Sequence, residues 1–320
     1  MNFRFSSLGR LFNFRFFPQS KIQNLKSKIA DYGRLIRFSH TVFALPFALA
    51  SIALASPVHP ITWQALFWIL LAMVGARSAA MGFNRLADKK FDALNPRTSA
   101  WELPRGAVKV WEAALLTLGA SLVFVFAAYR LNFVCFVLSP VALAIIFFYS
   151  LTKRFTWTSH LFLGLALSLA PMGAWLAVSG APFDLAELTV PFFLALAVLF
   201  WLAGFDVIYS LQDHEFDRRQ GLYSIPVRFG VAAALRLSTI FHCCTVVFLG
   251  LVGLAAHMGA LYWIGIVIVS VILFWEHRIV TPTDLSRINR AFFDFNAYVS
   301  IGYFLVTAGD IFWSGGLGFG

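Results

Sequence analysis

The chain has 320 residues, of which 60% are hydrophobic and 12% are charged, and its mean hydropathy is +0.78. This composition excludes a soluble globular domain and is typical of an integral membrane protein. The net charge of +10 is interpreted as a sign of membrane topology and of attraction for anionic groups. Nucleic-acid binding is disfavoured, because the sequence contains no base-reading motif.

The N-terminal 20 residues contain Arg and Phe but neither an acidic residue nor a continuous apolar core. A cleaved secretory signal is therefore disfavoured, and we interpret residues 1–33 as a basic, aromatic segment at the membrane interface. A transit peptide is the alternative, because such leaders are also acid-poor and contain Arg. Residues 34–320 are predicted to form a single transmembrane domain.

Apolar stretches of about 20 residues follow one another along the rest of the chain, and they are too long for barrel strands. The predicted spans are residues 36–56, 62–83, 111–129, 131–150, 159–180, 188–210, 229–256, 260–276 and 294–316. We therefore predict an all-α polytopic membrane bundle of nine transmembrane helices. With a cytoplasmic N-terminus, all but three of the 25 Lys and Arg residues lie in the N-terminal segment or in cytoplasmic loops, which supports that orientation.

Several potentially reactive side chains in or near the spans are interpreted as structural. The cysteines, which are expected to pack as apolar side chains, are Cys135, Cys243 and Cys244. The histidines that lack a partner pattern, and are expected to be packing or interfacial residues, are His160, His242 and His257.

Two polar clusters interrupt the apolar pattern, near the cytoplasmic ends of the second and sixth spans. The first cluster contains Asn84, Asp88 and Asp92, and the second contains Asp206, Tyr209, Asp213 and Asp217. Residues four apart lie on one face of a helix, so each cluster presents its oxygen atoms as one stripe. Carboxylates at membrane depth are costly unless they are paired or bind a metal, and this donor set suits Mg²⁺ that holds a substrate phosphate.

If the second and sixth helices face each other, the two stripes form the walls of one cavity. An enzyme that acts on a lipid diphosphate is the first interpretation of this arrangement. A cation-coupled transporter is the alternative, but transport sites lie near the membrane midplane, whereas these stripes continue into basic loops.

Both clusters resemble the signatures of the UbiA superfamily of intramembrane aromatic prenyltransferases, over nearly the whole chain from about Arg34. The first cluster matches Asn-x-x-x-Asp-x-x-x-Asp, and the second matches Asp-x-x-Tyr-x-x-x-Asp-x-x-x-Asp. Other family-like positions are Asn95, Arg97, Thr98, Leu103, Pro104, Gly106, Tyr149, Lys153, Arg154, Gly221, Ser224, Ile225, Pro226, Phe229 and Gly230.

The NPRT and ELP segments and the residues around the second cluster resemble the 4-hydroxybenzoate polyprenyltransferase-like branch, which includes prenyltransferases of the futalosine route to menaquinone. Trp101 departs from this branch, whose members usually have a basic or polar residue just before Glu-Leu-Pro. Haem O synthase and chlorophyll synthase are alternatives within the superfamily, but they use large macrocyclic acceptors and fit the second signature less well.

The resemblance implies Mg²⁺-dependent transfer of a polyprenyl group from a polyprenyl diphosphate to a ring carbon of an aromatic hydroxy acid. The acceptor would be 4-hydroxybenzoate or 1,4-dihydroxy-6-naphthoate, in ubiquinone or menaquinone biosynthesis. The expected location is the bacterial inner membrane, with the active site on its cytoplasmic face.

The predicted roles follow from the chemistry of diphosphate departure. Asp88 and Asp92 would hold one Mg²⁺ ion, and Asp213 and Asp217 a second. Asn84 would add a neutral oxygen or an amide donor. The cations predicted to neutralise the phosphate charge are Lys153, Arg154, Arg97 and Arg218.

The remaining candidates concern the acceptor. Asp206 would accept a proton from the phenol or the ring carbon, or would serve as a structural partner of Tyr209 or Lys153. Tyr209 would orient the diphosphate or the acceptor, and Arg37 would bind an acceptor carboxylate. Tyr149 is also expected to contact the substrate.

Overall fold

The computed structural model describes residues 28, 30–35, 43–180 and 185–313. Residues 30–35 are helical, and eleven further α-helices of five or more residues follow within the described ranges. They are α1 Leu45–Ala55, α2 Trp63–Leu94, α3 Val110–Leu131, α4 Phe133–Thr152, α5 Ser159–Ser179, α6 Thr189–Ser210, α7 His214–Arg219, α8 Ile225–Phe229, α9 Val231–Ala255, α10 Ala260–Ile279 and α11 Asn296–Trp313. Within the described ranges the only β-type pairing is an isolated bridge between Thr281 and Asp284.

Eight helical segments of the described chain are long and apolar enough to cross a membrane. They correspond to the second to ninth predicted spans, so the prediction of an all-helical, multi-pass membrane protein is confirmed. The first predicted span coincides in part with α1, which has only 11 residues. Residues 36–42 of that span lie outside the described residues, so the count of nine transmembrane helices and the orientation of the bundle stay predictions.

Helix α2 extends well beyond its apolar stretch. It begins after Thr62, whose side chain accepts a hydrogen bond from the Ala65 amide at 3.1 Å. It ends at Leu94, and the extended backbone of the next residue, Asn95, suits the position before Pro96. Its 32 residues span about 48 Å, whereas a bilayer core is about 30 Å thick. The last turns, which carry the first acidic cluster, therefore continue beyond the apolar stretch.

Helix α6 carries the second acidic cluster through a tightened turn. The α-helix ends at Ser210, residues Leu211–Asp213 form a 3₁₀ turn, and α7 continues to Arg219. The chain therefore changes its helical pitch inside the second cluster, between Tyr209 and Asp213.

The long helices pack on their neighbours in the chain, and α11 returns to contact α1. Helix α2 packs mainly on α3 and α4, while α6 packs on α5 and α9. The α5–α6 contact is close because Gly164 meets the Leu199 carbonyl group, where a Cβ atom would have no room. This close approach positions the polar end of α5 beside the second cluster.

Three ion pairs connect residues 28–34 to the loop that follows α2 and to the start of α3. Lys28 pairs with Glu112, Arg34 pairs with Glu102, and Arg105 reaches back to Asp31. Most of the predicted interfacial segment 1–33 lies outside the described residues, so its interfacial role stays a prediction.

Candidate active site

A polar cavity of about 270 Å³ lies between the ends of α2 and α6 that carry the acidic clusters. Both clusters therefore line one cavity, as the sequence predicts. The predicted site residues that line it are Asn84, Asp88, Asp92, Arg97, Tyr149, Lys153, Arg154, Asp206, Tyr209, Asp213 and Asp217.

Four of the cavity's carboxylates are each paired with a basic side chain. One of these partners lies on the same helix as its carboxylate, and the other three lie far away in the sequence. The pairs are Arg154–Asp88 at 3.1 Å, Arg85–Asp92 at 3.6 Å, Arg97–Asp213 at 2.6 Å and Lys153–Asp217 at 3.1 Å. Buried carboxylates need such partners, because the desolvation of an unpaired charge is costly. The pairing therefore balances the charge of the four acids within the cavity.

The loop after α2 joins the two clusters directly. Arg97 donates from Nε and Nη2 to the two oxygens of Asp213, at 2.9 and 2.6 Å, and from Nη1 to the Tyr209 hydroxyl at 3.1 Å. Asn95 donates to the same carboxylate at 3.0 Å, and its own side-chain oxygen accepts from the Arg97 amide. The two-point contact between Arg97 and Asp213 fixes the loop against the end of α6.

Arg85 and Trp101 form a contact that the sequence analysis did not predict. The Arg85 guanidinium lies 3.8 Å from the centre of the Trp101 ring, and the Arg97 guanidinium lies 5.5 Å from it. Trp101 therefore supplies an aromatic face to two arginines. Arg85 lies seven residues, about two helical turns, before Asp92, and this spacing is the sequence signal that could have indicated the contact.

Lys153 and Arg154 approach the cavity from the end of α4. Lys153 donates to Asp217 at 3.1 Å, and Arg154 donates both to Asp88 and to the Ala87 carbonyl group. Although burial disfavours the charged form of Lys153, the carboxylates of Asp217 and Asp213 hold its pKa above the ordinary value. Lys153 is therefore a permanent positive charge beside the second cluster at neutral pH.

Asp206 has a partner that the sequence analysis assigned to packing. The Nδ1 atom of His160 lies 2.6 Å from Asp206 Oδ2, and the His160 side chain is fully buried. The sequence signal was weak, because the two residues lie 46 positions apart on α5 and α6. Only the location of His160 at the same end of its span as the acidic clusters could have suggested the contact.

One predicted site residue is not brought into the cavity, and another lies outside the described residues. Arg218 is exposed and donates to Glu215 at 2.8 Å, three residues earlier in the chain, so it does not line the cavity. Its position on the outer face of the short helix α7 explains this difference. Arg37 lies outside the described residues, so its predicted contact with the acceptor stays a prediction.

An apolar cavity, also of about 270 Å³, adjoins the polar one and lies among α2, α3, α4 and α5. Arg77 and Tyr149 line both cavities, which places them at the junction between the two. A charged side chain at this depth is expensive and therefore indicates a functional site. The sequence analysis noted Arg77 only as a residue within a span.

The donor set fits Mg²⁺, but only with oxygen ligands from a substrate. Within the described ranges, no three His, Cys, Asp or Glu side chains are grouped closely enough to hold one ion by themselves. Mg²⁺ in enzymes is commonly bound by one or two carboxylates together with substrate phosphates, and the two pairs of acids provide that number. Asp92 Oδ2 is buried and has only the 3.6 Å ion pair with Arg85, which is too long for a hydrogen bond, so this oxygen suits coordination of an ion.

The fold and the cavity together define an all-helical membrane protein with a charged site for an anionic group and an adjoining apolar cavity. Residues 44–300 match the UbiA prenyltransferase family. The chain belongs to this family and is an intramembrane prenyltransferase. Family membership also excludes the cation-coupled transporter considered from the sequence.

Curated relatives of the chain cover nearly its full length. The chain is 27% identical over 298 residues to a 4-hydroxybenzoate octaprenyltransferase of Marinobacter nauticus. This match covers 90% of this chain and 97% of the relative. It is 32% identical over 278 residues to the enzyme of the same name in Aromatoleum aromaticum, and this match covers 84% of this chain and 90% of the relative.

Solved structures show the same fold. A UbiA homolog from Aeropyrum pernix K1 in its apo form has a TM-score of 0.77 and 33% identity, covering 86% of this chain and 98% of that chain. A homolog from Archaeoglobus fulgidus bound to GPP and Mg²⁺ has a TM-score of 0.62 and 22% identity, covering 87% of this chain and 99% of that chain.

The position of Lys153 leads to a prediction about substrate binding. Replacing Lys153 with Gln is expected to raise the KM for the diphosphate donor by about 10-fold, since charged hydrogen bonds contribute about 1.5–3 kcal/mol. The KM for the acceptor should change much less, because Lys153 pairs with Asp217, which is one of the carboxylates predicted to hold Mg²⁺. Steady-state kinetics with each substrate varied in turn measures both values. Lys90→Gln, at an exposed position near the end of α2, is the control, and an unchanged donor KM would remove Lys153 from the phosphate site.

Proposed function

We propose that this prenyltransferase moves a polyprenyl group from a polyprenyl diphosphate to a ring carbon of an aromatic hydroxy acid, with Mg²⁺ as its cofactor. The observation that carries the proposal is the single cavity in which four paired carboxylates meet four basic side chains next to an apolar cavity. The names of the curated relatives support 4-hydroxybenzoate or a related acid, such as 1,4-dihydroxy-6-naphthoate, as the acceptor.

The donor's diphosphate would lie among the two acidic clusters. Asp88 and Asp92 on one side, and Asp213 and Asp217 on the other, supply the oxygens that hold the cofactor. Mg²⁺, when bound, withdraws charge from the leaving diphosphate and so favours cleavage of the allylic carbon–oxygen bond.

The basic side chains take over the remaining charge of the leaving group. Lys153 and Arg154 enter from α4, while Arg97 enters from the loop after α2, so the diphosphate is contacted from two sides. Each of these residues is already held in the cavity by a carboxylate. The binding site for the anion is therefore preorganised, which reduces the cost of reorganisation when charge develops.

The apolar cavity would hold the first isoprenoid units and keep water from the reacting carbon. Its lining is almost entirely apolar, with small residues of α2 and α5 leaving the space open. An allylic cation reacts with water, so a dry cavity is required for transfer to the acceptor. The polar cavity is also lined by Tyr209 and Phe292, whose ring centres lie 4.1 Å apart. The face of an aromatic ring stabilises a nearby cation.

The acceptor would approach from the side of Asp206 and Arg77. Arg77 lines both cavities and suits a carboxylate of the acceptor, in addition to the role predicted for Arg37. Asp206 would accept the proton that the ring loses when the new carbon–carbon bond forms. The cytoplasmic face of a bacterial inner membrane is the proposed location of this site, on the basis of the charge distribution.

The experiment that tests this function is turnover by the protein in membranes, with Mg²⁺ and a polyprenyl diphosphate. 4-Hydroxybenzoate and 1,4-dihydroxy-6-naphthoate are offered in parallel, and the products are identified by mass. We expect one of the two acids to gain the polyprenyl group on carbon. Failure with both acids, in protein shown to be folded, would contradict the proposed acceptor class.

A further inference from the structure

Asp206 is distinguished from the other acids of the polar cavity by its partner. The four carboxylates that match the metal-binding pattern are paired with Arg or Lys, whereas Asp206 is paired with a histidine. The partner, His160, is fully buried, while the Asp206 side chain is about 20% exposed and lines the cavity. Asp206 therefore reaches the substrate space, and His160 lies behind it.

The hydrogen bonds of His160 define which ring nitrogen carries the proton. The backbone amide of Ile225 donates to His160 Nε2 at 3.4 Å, so Nε2 is the acceptor. In the neutral imidazole the proton then resides on Nδ1. Nδ1 donates to Asp206 Oδ2 at 2.6 Å. This arrangement orients the Asp206 carboxyl group, whose Oδ2 is held by the histidine and whose Oδ1 is left for the cavity.

His160 also joins three parts of the fold at this point. It lies one turn before Gly164, whose close contact with the Leu199 carbonyl group brings α5 against α6. Its second nitrogen is bound by the first residue of α8, directly after Ser224, which caps that helix. The histidine is thus held at both ring nitrogens, and its hydrogen bond to Asp206 restricts the orientation of that carboxylate.

A proton relay through His160 is disfavoured by the same contacts. Its Nε2 atom is occupied by a backbone amide, and the whole side chain is buried. A relay needs a second titratable group or water on the far side of the ring. The contacts instead resemble those by which an outer residue fixes the tautomer and orientation of an active-site group.

We propose that His160 is a positioning residue, which holds the Asp206 carboxylate in the orientation in which its Oδ1 atom takes the proton released from the acceptor ring. This inference rests on the proposed function. In that step the ring carbon bonds to the allylic carbon, and the allylic carbon–oxygen bond to diphosphate breaks. The ring carbon then loses its proton to Asp206, and the electron pair of the carbon–hydrogen bond restores the aromatic ring.

Two substitutions at position 160 test the proposal. In His160→Leu the donor to Asp206 is lost, and we expect kcat to fall by about 10–100-fold, as for other residues that orient active-site groups. The donor KM should change by less than about threefold, because the groups that bind diphosphate are untouched. In His160→Gln the amide can donate to Asp206 and accept from Ile225, so we expect most of kcat to return.

Further variants separate positioning from a purely structural role. Asp206→Asn should lower kcat at least as much as His160→Leu, and the double variant should show little additional loss, because the two residues act as one unit. His257→Gln, at an exposed position after α9, is the control. If His160→Leu does not fold, His160→Ala replaces it, because Ala also lacks a donor to Asp206 and introduces no larger side chain.

The outcomes distinguish this inference from the proposed function. If the unchanged protein prenylates neither aromatic acid, the proposed function fails. If it does prenylate one of them, but folded His160→Leu retains kcat, the positioning role is overturned. A rise in donor KM with an unchanged kcat would overturn it as well, since that pattern indicates a general disturbance of the cavity. Equal loss in the Leu and Gln variants would also contradict it.

Discussion

Replacing Asp213 with Asn is expected to lower turnover by about 10²–10³-fold, the size of effect seen when one preorganised electrostatic contact is removed from an active site. Asp213 accepts hydrogen bonds from Arg97 and Asn95 and lies on the wall of the polar cavity. The Asn side chain keeps the shape of Asp but removes the charge that would hold the cofactor. It also leaves the Arg97 guanidinium without its two-point partner.

The measurement is turnover with saturating Mg²⁺ and donor, together with the cooperativity of thermal unfolding. Glu215→Gln is the matched control, since Glu215 is an exposed acid two residues further along the same helical segment and pairs with the exposed Arg218 and the adjacent His214. The control should retain activity. Turnover in Asp213→Asn within about threefold of the unchanged protein would exclude Asp213 from the groups that hold the cofactor.

The elements of the fold were largely predictable, because membrane spans are defined by a property that is local in sequence. An apolar stretch of about 20 residues has few alternatives to a helix in a bilayer. The exact end of α2 was less predictable. Residues 84–94 are too polar to be recognised as part of a span, yet the helix continues to Leu94 because nothing interrupts it before the Asn95-Pro96 step.

The presence of the site was predictable for a similar reason. The four-residue spacing of the two acidic clusters is a local feature, which predicts one stripe of oxygens per helix. The two stripes line one cavity, as the hypothesis that the second and sixth helices face each other required. The partners of the acids were not predictable in this way. The Arg97–Asp213 contact joins residues 116 positions apart, and the His160–Asp206 contact joins residues 46 apart.

Arg218 shows the converse difficulty. It directly follows Asp217, so its position in sequence suggested a place in the site. On a helix, however, neighbouring residues point in directions about 100° apart, and the structure places Asp217 inside the cavity and Arg218 on the exposed surface. Proximity in sequence to a site residue is therefore weak evidence for a shared role.

The pairing of acids and bases in the cavity also has a consequence for metal dependence. Each of the four carboxylates has a basic partner within the protein. Their charge is therefore balanced by the chain itself, and the fold should not require a divalent cation to relieve repulsion between the two clusters. This separates the expected effect of metal removal on activity from its effect on folding.

Chelation with EDTA is accordingly expected to abolish turnover and to leave the protein folded, and added Mg²⁺ should restore turnover. Ca²⁺ should restore it poorly, because it prefers more ligands and longer bonds than two carboxylates and a diphosphate provide. Turnover in membranes and thermal unfolding of the same chelated sample measure the two effects. Undiminished turnover in the presence of the chelator would contradict the proposed cofactor. Loss of folding on chelation would instead show that the ion pairs do not balance the cavity by themselves.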